Sequence, residues 1–456
     1  MDNRELVASL VQKARKALEE YEPYTQEQVD DCVKALCLAF KSQAELMARE
    51  TVDETGLGDV ADKIDKNLGS PDGIWHTLKG KKSVGVIGFD EKQKLAYVAR
   101  PKGIMASVAP TTNPNITVLF NAAYALKGRN ALIVAPHPRA RKSTLHTVQI
   151  INEGLAKIGA PANLIQCIEE PSIECTQLLM RSSDVIIATG GAKMVDSAYS
   201  SGRPAFGVGP GNVQTIVDRG FDYAEAAAQI VIGRKFDNGL ICAGNQSVIM
   251  PREDAPKIIE LLKAKGAFYV EDKESIEKLR KALFPNGHAI NPAAVGQPAT
   301  KIAQLAEIEI PDGTSAILIR VDSCGASDPL CGEKMCPVLI ATTYGDFAEA
   351  VDIARENLLY QGAGHSSVIH TNDMAKAEYC GTHLPVSRML VNQPGIFAAN
   401  PALANGLSPT STLGCGSWGN NSISENLTYE HLINITRIAW PKAEAAIPDS
   451  TQIWKS

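Results

Sequence analysis

GIMASVAPTTNPNITVLFNAAYALKGRNALIVAP, residues 103–136, is the stretch on which the fold turns. Its ends, GIMASVAP (103–110) and ALIVAP (131–136), are short apolar runs closed by proline, and residues 116–127 between them read as a helix. Strand, helix, strand in this order predicts a right-handed βαβ crossover and a buried parallel sheet. The texture continues through NLIQCI (163–168), DVIIATGG (184–191) and VQTIVD (213–218), with helical stretches at 142–158, 172–182 and 192–200. The first block is thus read as a strand–helix alternation ending with VQTIVD.

On the amino-terminal side, VGVIGF (84–89), a turn at 90–93 and a strand over 95–99 predict an antiparallel hairpin suited to reaching a neighbouring subunit. Residues 4–22 place Leu6, Val7, Leu10, Val11, Ala14 and Leu18 at helical spacing, which predicts an amphipathic helix, and a second helix follows from about Thr25. On the carboxyl side a second block alternates SVIMP (247–251), FYV (268–270), ILIRVD (317–322), PVLIATTY (337–344), SSVIHT (366–371) and RMLVNQ (388–393) with helices at 253–265, 273–283, 346–357 and 373–380. Two α/β domains with a crevice between them is the economical architecture, and ligands of such folds lie beyond the carboxyl ends of strands.

The chain has 456 residues, enough for two large cores, and its composition is that of a globular protein. A net charge of −6 argues against a nucleic-acid or anionic-membrane partner. Ten cysteines are spread from Cys32 to Cys415 with no CxxC pair, the pattern of reduced thiols. The first residues are charged and no apolar stretch reaches the length of a membrane span, so a cytoplasmic location is the expectation.

No GxGxxG follows the first strands, and a dinucleotide would have to bind another way. Thr189, Gly190 and Gly191 follow a strand and precede a helix, where backbone amides can meet a phosphate. Cys242 lies in FDNGLICAGNQSVI between Gly239 and Gly244, small neighbours that leave a thiol open to a substrate. His365 in QGAGHSS suits a proton acceptor, Glu333 in GEKMCPVLI suits an acceptor of ribose hydroxyls, and the basic turn at His137, Pro138, Arg139 and Arg141 suits a nucleotide. Each of these also has a plain structural reading. Cys331 and Cys336 lack histidine partners, so no metal site is expected.

Taken in order, PTTNP (110–114), APHPRA (135–140), ATGG (188–191), GVGPGN (207–212), NGLICAGNQS (238–247), EKMCPV (333–338), GAGHS (362–366) and TLGCGSWGNNSISENL (412–427) resemble the motifs of CoA-acylating aldehyde dehydrogenases over essentially the whole chain. Among these the chain looks most similar to the succinate-semialdehyde type. The resemblance implies an α/β fold of two parallel-rich domains: a Rossmann-like cofactor domain over 1–236 with an oligomerisation hairpin at about 84–101, a catalytic domain over 237–411, and a segment over 412–456 returning to the cofactor domain and the oligomer interface. It implies Cys242 as nucleophile, His365 as base for the CoA thiol, and Thr112 or Asn113 as oxyanion donors with the Cys242 amide. It also implies NAD or NADP held by Thr189, Gly190, Gly191, Gly209, Glu333 and the 135–141 turn with His137, Pro138 and Arg139, and coenzyme A as co-substrate.

Hydrolytic relatives carry a water-activating Glu where this chain has Val208 and Gly209 in GVGPGN, a departure that favours a thiol acceptor over water. Ser247 and Arg388 are expected as anion contacts of the substrate. The expected partners are a small aldehyde and CoA, with the chain a homodimer or homotetramer. Succinate semialdehyde is the first substrate expectation, with sulfoacetaldehyde and acetaldehyde behind it. An acyl-phosphate reductase and a silent scaffold docked through the 4–22 helix are the competing readings. The scaffold would lack a fast-reacting thiol at 242.

Overall fold

The computed structural model describes residues 2–401, 403–442 and 450–455. Helices α1 (Asn3–Tyr21) and α2 (Gln26–Ser42) each start on a capping box, Asp2 with Glu5 and Thr25 with Gln28, which satisfies two orphan amides apiece. Two further helices, α3 (Ala44–Thr55) and α4 (Val60–Leu78), complete an amino-terminal layer that carries no clear apolar stripe in the sequence. The reason is on the inner face of α4, which buries Lys63, Lys66 and Asn67.

The hairpin is present as β1 (Gly85–Asp90) and β2 (Leu95–Pro101), paired antiparallel. Strands β3 (Ile104–Val108), β4 (Ala131–Ala135), β5 (Ile165–Cys167), β6 (Val185–Ala188) and β7 (Ala205–Gly207) form a parallel sheet in the order β5-β4-β3-β6-β7. Helix α5 (Pro114–Lys127) leaves β3 with proline in its first turn and is buried at every residue, which explains its apolar character all round. Helix α6 (Arg141–Lys157) follows β4. The apolar face of α1, with Val7 and Ala14 buried, packs into the core of this sheet. It is covered by the chain itself rather than offered to a docking partner.

The second sheet contains β8 (Gln214–Val217), β9 (Ser247–Pro251), β10 (Ala267–Val270), β11 (Ala316–Arg320), β12 (Val338–Tyr344), β13 (Gly364–His370) and β14 (Val386–Val391), in the order β10-β11-β12-β9-β8-β13-β14. All its pairings are parallel. Here the sequence reading needs one correction. VQTIVD, read as the last strand of the first block, is β8 and joins the second sheet between β9 and β13. A four-residue strand buried at every position carries no mark of which sheet it will join. The GVGPGN run is therefore the crossing from one sheet to the other. Finally β15 (Ile433–Ala439) returns to pair with β2, so the hairpin becomes a three-stranded sheet. Residues 443–449 and 456 of the expected carboxyl-terminal segment lie outside the described residues.

Candidate active site

A cavity of about 350 Å³ opens where the two sheets meet. The first sheet supplies the loops after β3, β4 and β6, namely Thr112 and Asn113, His137, and Thr189 to Gly191. The crossing supplies Val208, Gly209 and Pro210, and the loop before β9 supplies Cys242. Glu333 also lines it and is the single carboxylate among the described lining residues. No acid comes from the Val208–Pro210 wall.

The loop carrying Cys242 is pinned from both ends by one buried arginine. Arg234, on the helix Tyr223–Lys235, donates to the Gly239 carbonyl at 2.6 Å and the Asn245 carbonyl at 3.1 Å. Ahead of the thiol, Asp237, Asn238 and Gly239 all take left-handed backbone angles. A Cβ at Gly239 would run into the Arg234 guanidinium and the Cys336 backbone, so only glycine fits there. Gly211 of the crossing lies against the Cys242 carbonyl with no room for a side chain.

The strained turn is held by α4. Asp237 Oδ2 accepts from Lys63 at 2.9 Å and Lys66 at 2.6 Å, its Oδ1 accepts from the Asp59 amide at 3.0 Å, and its own amide donates to Asp62 at 2.7 Å. The same two lysines reach the loop after β3: Lys63 donates to the Thr112 carbonyl at 3.3 Å and Lys66 to Asn113 Oδ1. With its oxygen taken by Lys66, the Asn113 amide must offer its NH₂ elsewhere, and Asn113 lines the cavity. Thus α4 ties the nucleophile loop to the candidate oxyanion loop. Burial alone would raise the Asp237 carboxyl, but Lys66 and Lys63 hold it below its ordinary range.

Small neighbours suggest an open thiol, but openness does not make it acidic. Burial, reinforced by Glu333 and Cys415, pushes the Cys242 thiol up to about 12. Burial also pushes Glu333 up to about 7, against the opposing Gly211 amide, Arg234 and Lys334. The ligand-free thiol is therefore neutral at physiological pH, and rapid alkylation is not the mark of this site. Alkylation of Cys242 by iodoacetamide is expected to be slow at neutral pH and to rise about tenfold per pH unit up to about pH 10 without a plateau. Glu333→Gln removes a charge that raises the thiol and should shift that profile toward lower pH. A plateau near neutrality in the ligand-free protein would contradict this electrostatic account.

The helix Ala192–Tyr199 starts after Gly191 without a side-chain cap, and Gly190 and Gly191 line the cavity just ahead of that start, where an anion can be met. Thr189 Oγ1 meets Thr412 Oγ1 at 3.1 Å, which ties this loop to the carboxyl-terminal motif. The basic turn is less open than its composition suggests. Arg139 donates to the Thr55 carbonyl at 3.2 Å, Arg141 pairs with Glu170 at 2.7 Å, and Glu54 takes the Lys142 and Ser143 amides at 2.7 Å each. Only His137 of this turn lines the cavity, while Pro138 and Arg139 stand exposed beside it.

Two expected substrate contacts are corrected. Ser247 is fully buried in β9, with Oγ donating to Gln214 at 2.8 Å. Arg388 is spent on the chain, donating to the His365 carbonyl at 2.7 Å, the Gly414 carbonyl at 2.8 Å and Ser366 at 3.1 Å. Neither lines the cavity: Ser247 lies in a strand buried at every position, and Arg388 stands on the buried face of the edge strand β14. His365 on β13 is also outside the lining and fully buried, and neither ring nitrogen has a hydrogen-bond partner among the described residues. Burial and then Arg388 push it down to about 3, so it stays neutral.

Sequence reading missed Lys66, Asp237, Arg234, Thr117 and Ser411. A local signal existed only for Thr117, which stands four residues after Asn113 and so shares its helix face. For Lys66 no local signal exists, since its carboxylate partner Asp237 lies 171 residues away.

Residues 1–274 match the family model described as the aldehyde dehydrogenase family. A succinate-semialdehyde dehydrogenase (acetylating) of Clostridium kluyveri is 51% identical over 454 residues, covering 100% of both chains. Among solved structures, an acetylating aldehyde dehydrogenase from Geobacillus thermoglucosidasius superposes with a TM-score of 0.94 at 36% identity, covering 97% of this chain and 98% of that one. A propionaldehyde dehydrogenase from Rhodopseudomonas palustris, solved with bound CoA and an acylated cysteine, gives 0.85 at 26% identity over 95% and 97%.

Proposed function

The chain belongs to the aldehyde dehydrogenase family, and from that premise we propose that it interconverts a short aldehyde and its acyl-CoA thioester with NAD or NADP, through an acyl group carried on Cys242. The observation that carries this reading is the cavity wall around Cys242. Val208, Gly209 and Pro210 face the site without a carboxylate, and Glu333 is tied to the Gly211 amide at 3.1 Å. No carboxylate comes from Val208–Pro210 to activate water, and Glu333 is assigned here to the ribose, so a thiol is the acceptor this reading favours. Succinate semialdehyde is the proposed aldehyde, supported by the full-length similarity to the Clostridium kluyveri enzyme.

The donor set suits a dinucleotide: the turn at Gly190 and Gly191, ahead of a helix without a side-chain cap, for a phosphate, and the Glu333 carboxylate for ribose hydroxyls. When bound, the nicotinamide supplies the hydride acceptor. The protein's own steps are these. Cys242 Sγ, once its proton is lost, attacks the aldehyde carbon to give a thiohemiacetal, and the Asn113 NH₂ and the Cys242 amide donate to the developing oxyanion. After oxidation to the thioester, the CoA thiol attacks the same carbonyl carbon, the same donors hold the second oxyanion, and Cys242 leaves as thiolate. His365, neutral and with two unpartnered ring nitrogens, is the proposed acceptor of the CoA thiol proton. Its burial requires CoA binding to open a path to it.

The test is NAD(P)H formation from succinate semialdehyde with and without CoA. Formation should depend on CoA and yield a thioester. Release of free succinate at an equal rate without CoA would overturn the reading. Turnover of an acyl phosphate but not of acyl-CoA would replace it with the reductase. Assembly into a dimer or a pair of dimers through the hairpin is also proposed. Its support is an outer sheet edge at β1 carrying exposed Val86 and Phe89, with Trp440 packed on Phe89. No described helix is long and apolar enough to cross a membrane.

A further inference from the structure

Two hydroxyls of the cavity wall have no partner. Thr117 is fully buried, and neither its Oγ1 nor Ser411 Oγ makes a hydrogen bond among the described residues, yet both residues line the cavity that holds Cys242. A buried hydroxyl left unpaired is costly, so such atoms persist where a ligand completes them.

Their position relative to the chemistry is set by two helices. Asn113 and Thr117 lie four residues apart at the start of α5, one turn or about 5.4 Å along the axis. Helix α4 runs alongside in the same direction, since Lys66 bonds Asn113 near the start of α5 and the Leu78 carbonyl accepts from Lys127 at its end. Lys66 is the one lysine or arginine among the described lining residues, and Ser70, one turn on from it, also lines the cavity. The wall therefore presents an oxyanion donor at one level and the Thr117 hydroxyl one turn further along, with Ser411 lining the same cavity.

Resting on the activity proposed above, we infer that the Thr117 and Ser411 hydroxyls form a subsite for the carboxylate tail of a four-carbon semialdehyde acid. With the aldehyde oxygen on Asn113, the tail carbon of such a substrate lies about 4 Å from the aldehyde carbon when extended. Its oxygens then come within hydrogen-bond reach of groups one helical turn along. Acetaldehyde has nothing to place there. Hydrogen bonds to a charged group are the stronger kind, so each hydroxyl should matter by about tenfold or more.

The experiment compares wild type, Thr117→Val, Ser411→Ala and the double variant on succinate semialdehyde and on butyraldehyde, the uncharged aldehyde of equal length, both with CoA. The ratio of kcat/KM for the semialdehyde over butyraldehyde should fall about tenfold in each single variant, mainly through KM, and further in the double variant. Succinate should also inhibit butyraldehyde turnover competitively in the wild type, a readout that needs no variant to fold. Turnover of both aldehydes with that ratio unmoved by the substitutions, or no competition by succinate, overturns the subsite and leaves the activity standing. Absence of any CoA-dependent turnover in the wild type overturns the activity and the subsite together.

Discussion

Cys242→Ser is expected to lower CoA-dependent NAD(P)H formation by a factor on the order of 10⁴–10⁶ while the protein remains folded. The magnitude follows from two losses. A serine hydroxyl is far less acidic than a thiol, and the burial that already pushes this thiol up to about 12 would penalise an alkoxide more. The acyl group would also sit on oxygen, and passing it from an oxygen ester to the CoA thiol is uphill, whereas thioester to thioester is nearly level. The side chain is close to isosteric, so folding should be unaffected, which a circular dichroism spectrum and an unfolding curve check. Mass spectrometry of the wild type incubated with acyl-CoA should find the acyl group on Cys242, and the peptide spanning that position in the serine variant should carry none. Serine-variant turnover within tenfold of wild type would remove the covalent mechanism.

Asp237→Ala should be the most damaging change to stability, by about 3–5 kcal/mol, since it strands two buried lysines without their counter-charge. Asp237 and both lysines are nearly inaccessible to water, so solvent cannot take over the role of the lost carboxylate. Lys63 is already pushed down to about 8 by burial and by Lys66, and without Asp237 the pair would shed a proton or admit water. Asp237→Asn, which keeps the shape and an acceptor for the Asp59 amide, should cost less. The sign with pH follows from the depressed carboxyl: its contribution is complete above the ordinary aspartate value and is lost as pH falls through the lower native one. Denaturant unfolding of the three proteins at neutral pH measures this. A loss below about 1 kcal/mol for the alanine variant would show that the cluster is not the clamp described.

The fold was legible because each βαβ step prints its own pattern: residues 103–136 contain a strand, a fully buried helix and a strand in sequence order. The cavity was legible as motifs, since Thr112, Asn113, Thr189 and Cys242 all come from loops at strand ends and do line one space. Ser247 and Arg388 misled because a polar residue beside a strand reads alike whether it faces a ligand or a neighbouring carbonyl. β8 misled because sheet membership is a matter of partners, and partners are distant in the chain.

By itself the sequence determined the order of elements, the family and the motifs that line the cavity, all of which depend on near-neighbour patterns and short motifs. Only the tertiary structure decided which charges meet. It alone brought Lys66 to Asp237 and Asn113, left Thr117 and Ser411 unpartnered in the wall, and closed His365 away from the cavity. The physical reason is that burial and pairing energies depend on separations of a few ångströms, and the chain sets those only after it has folded.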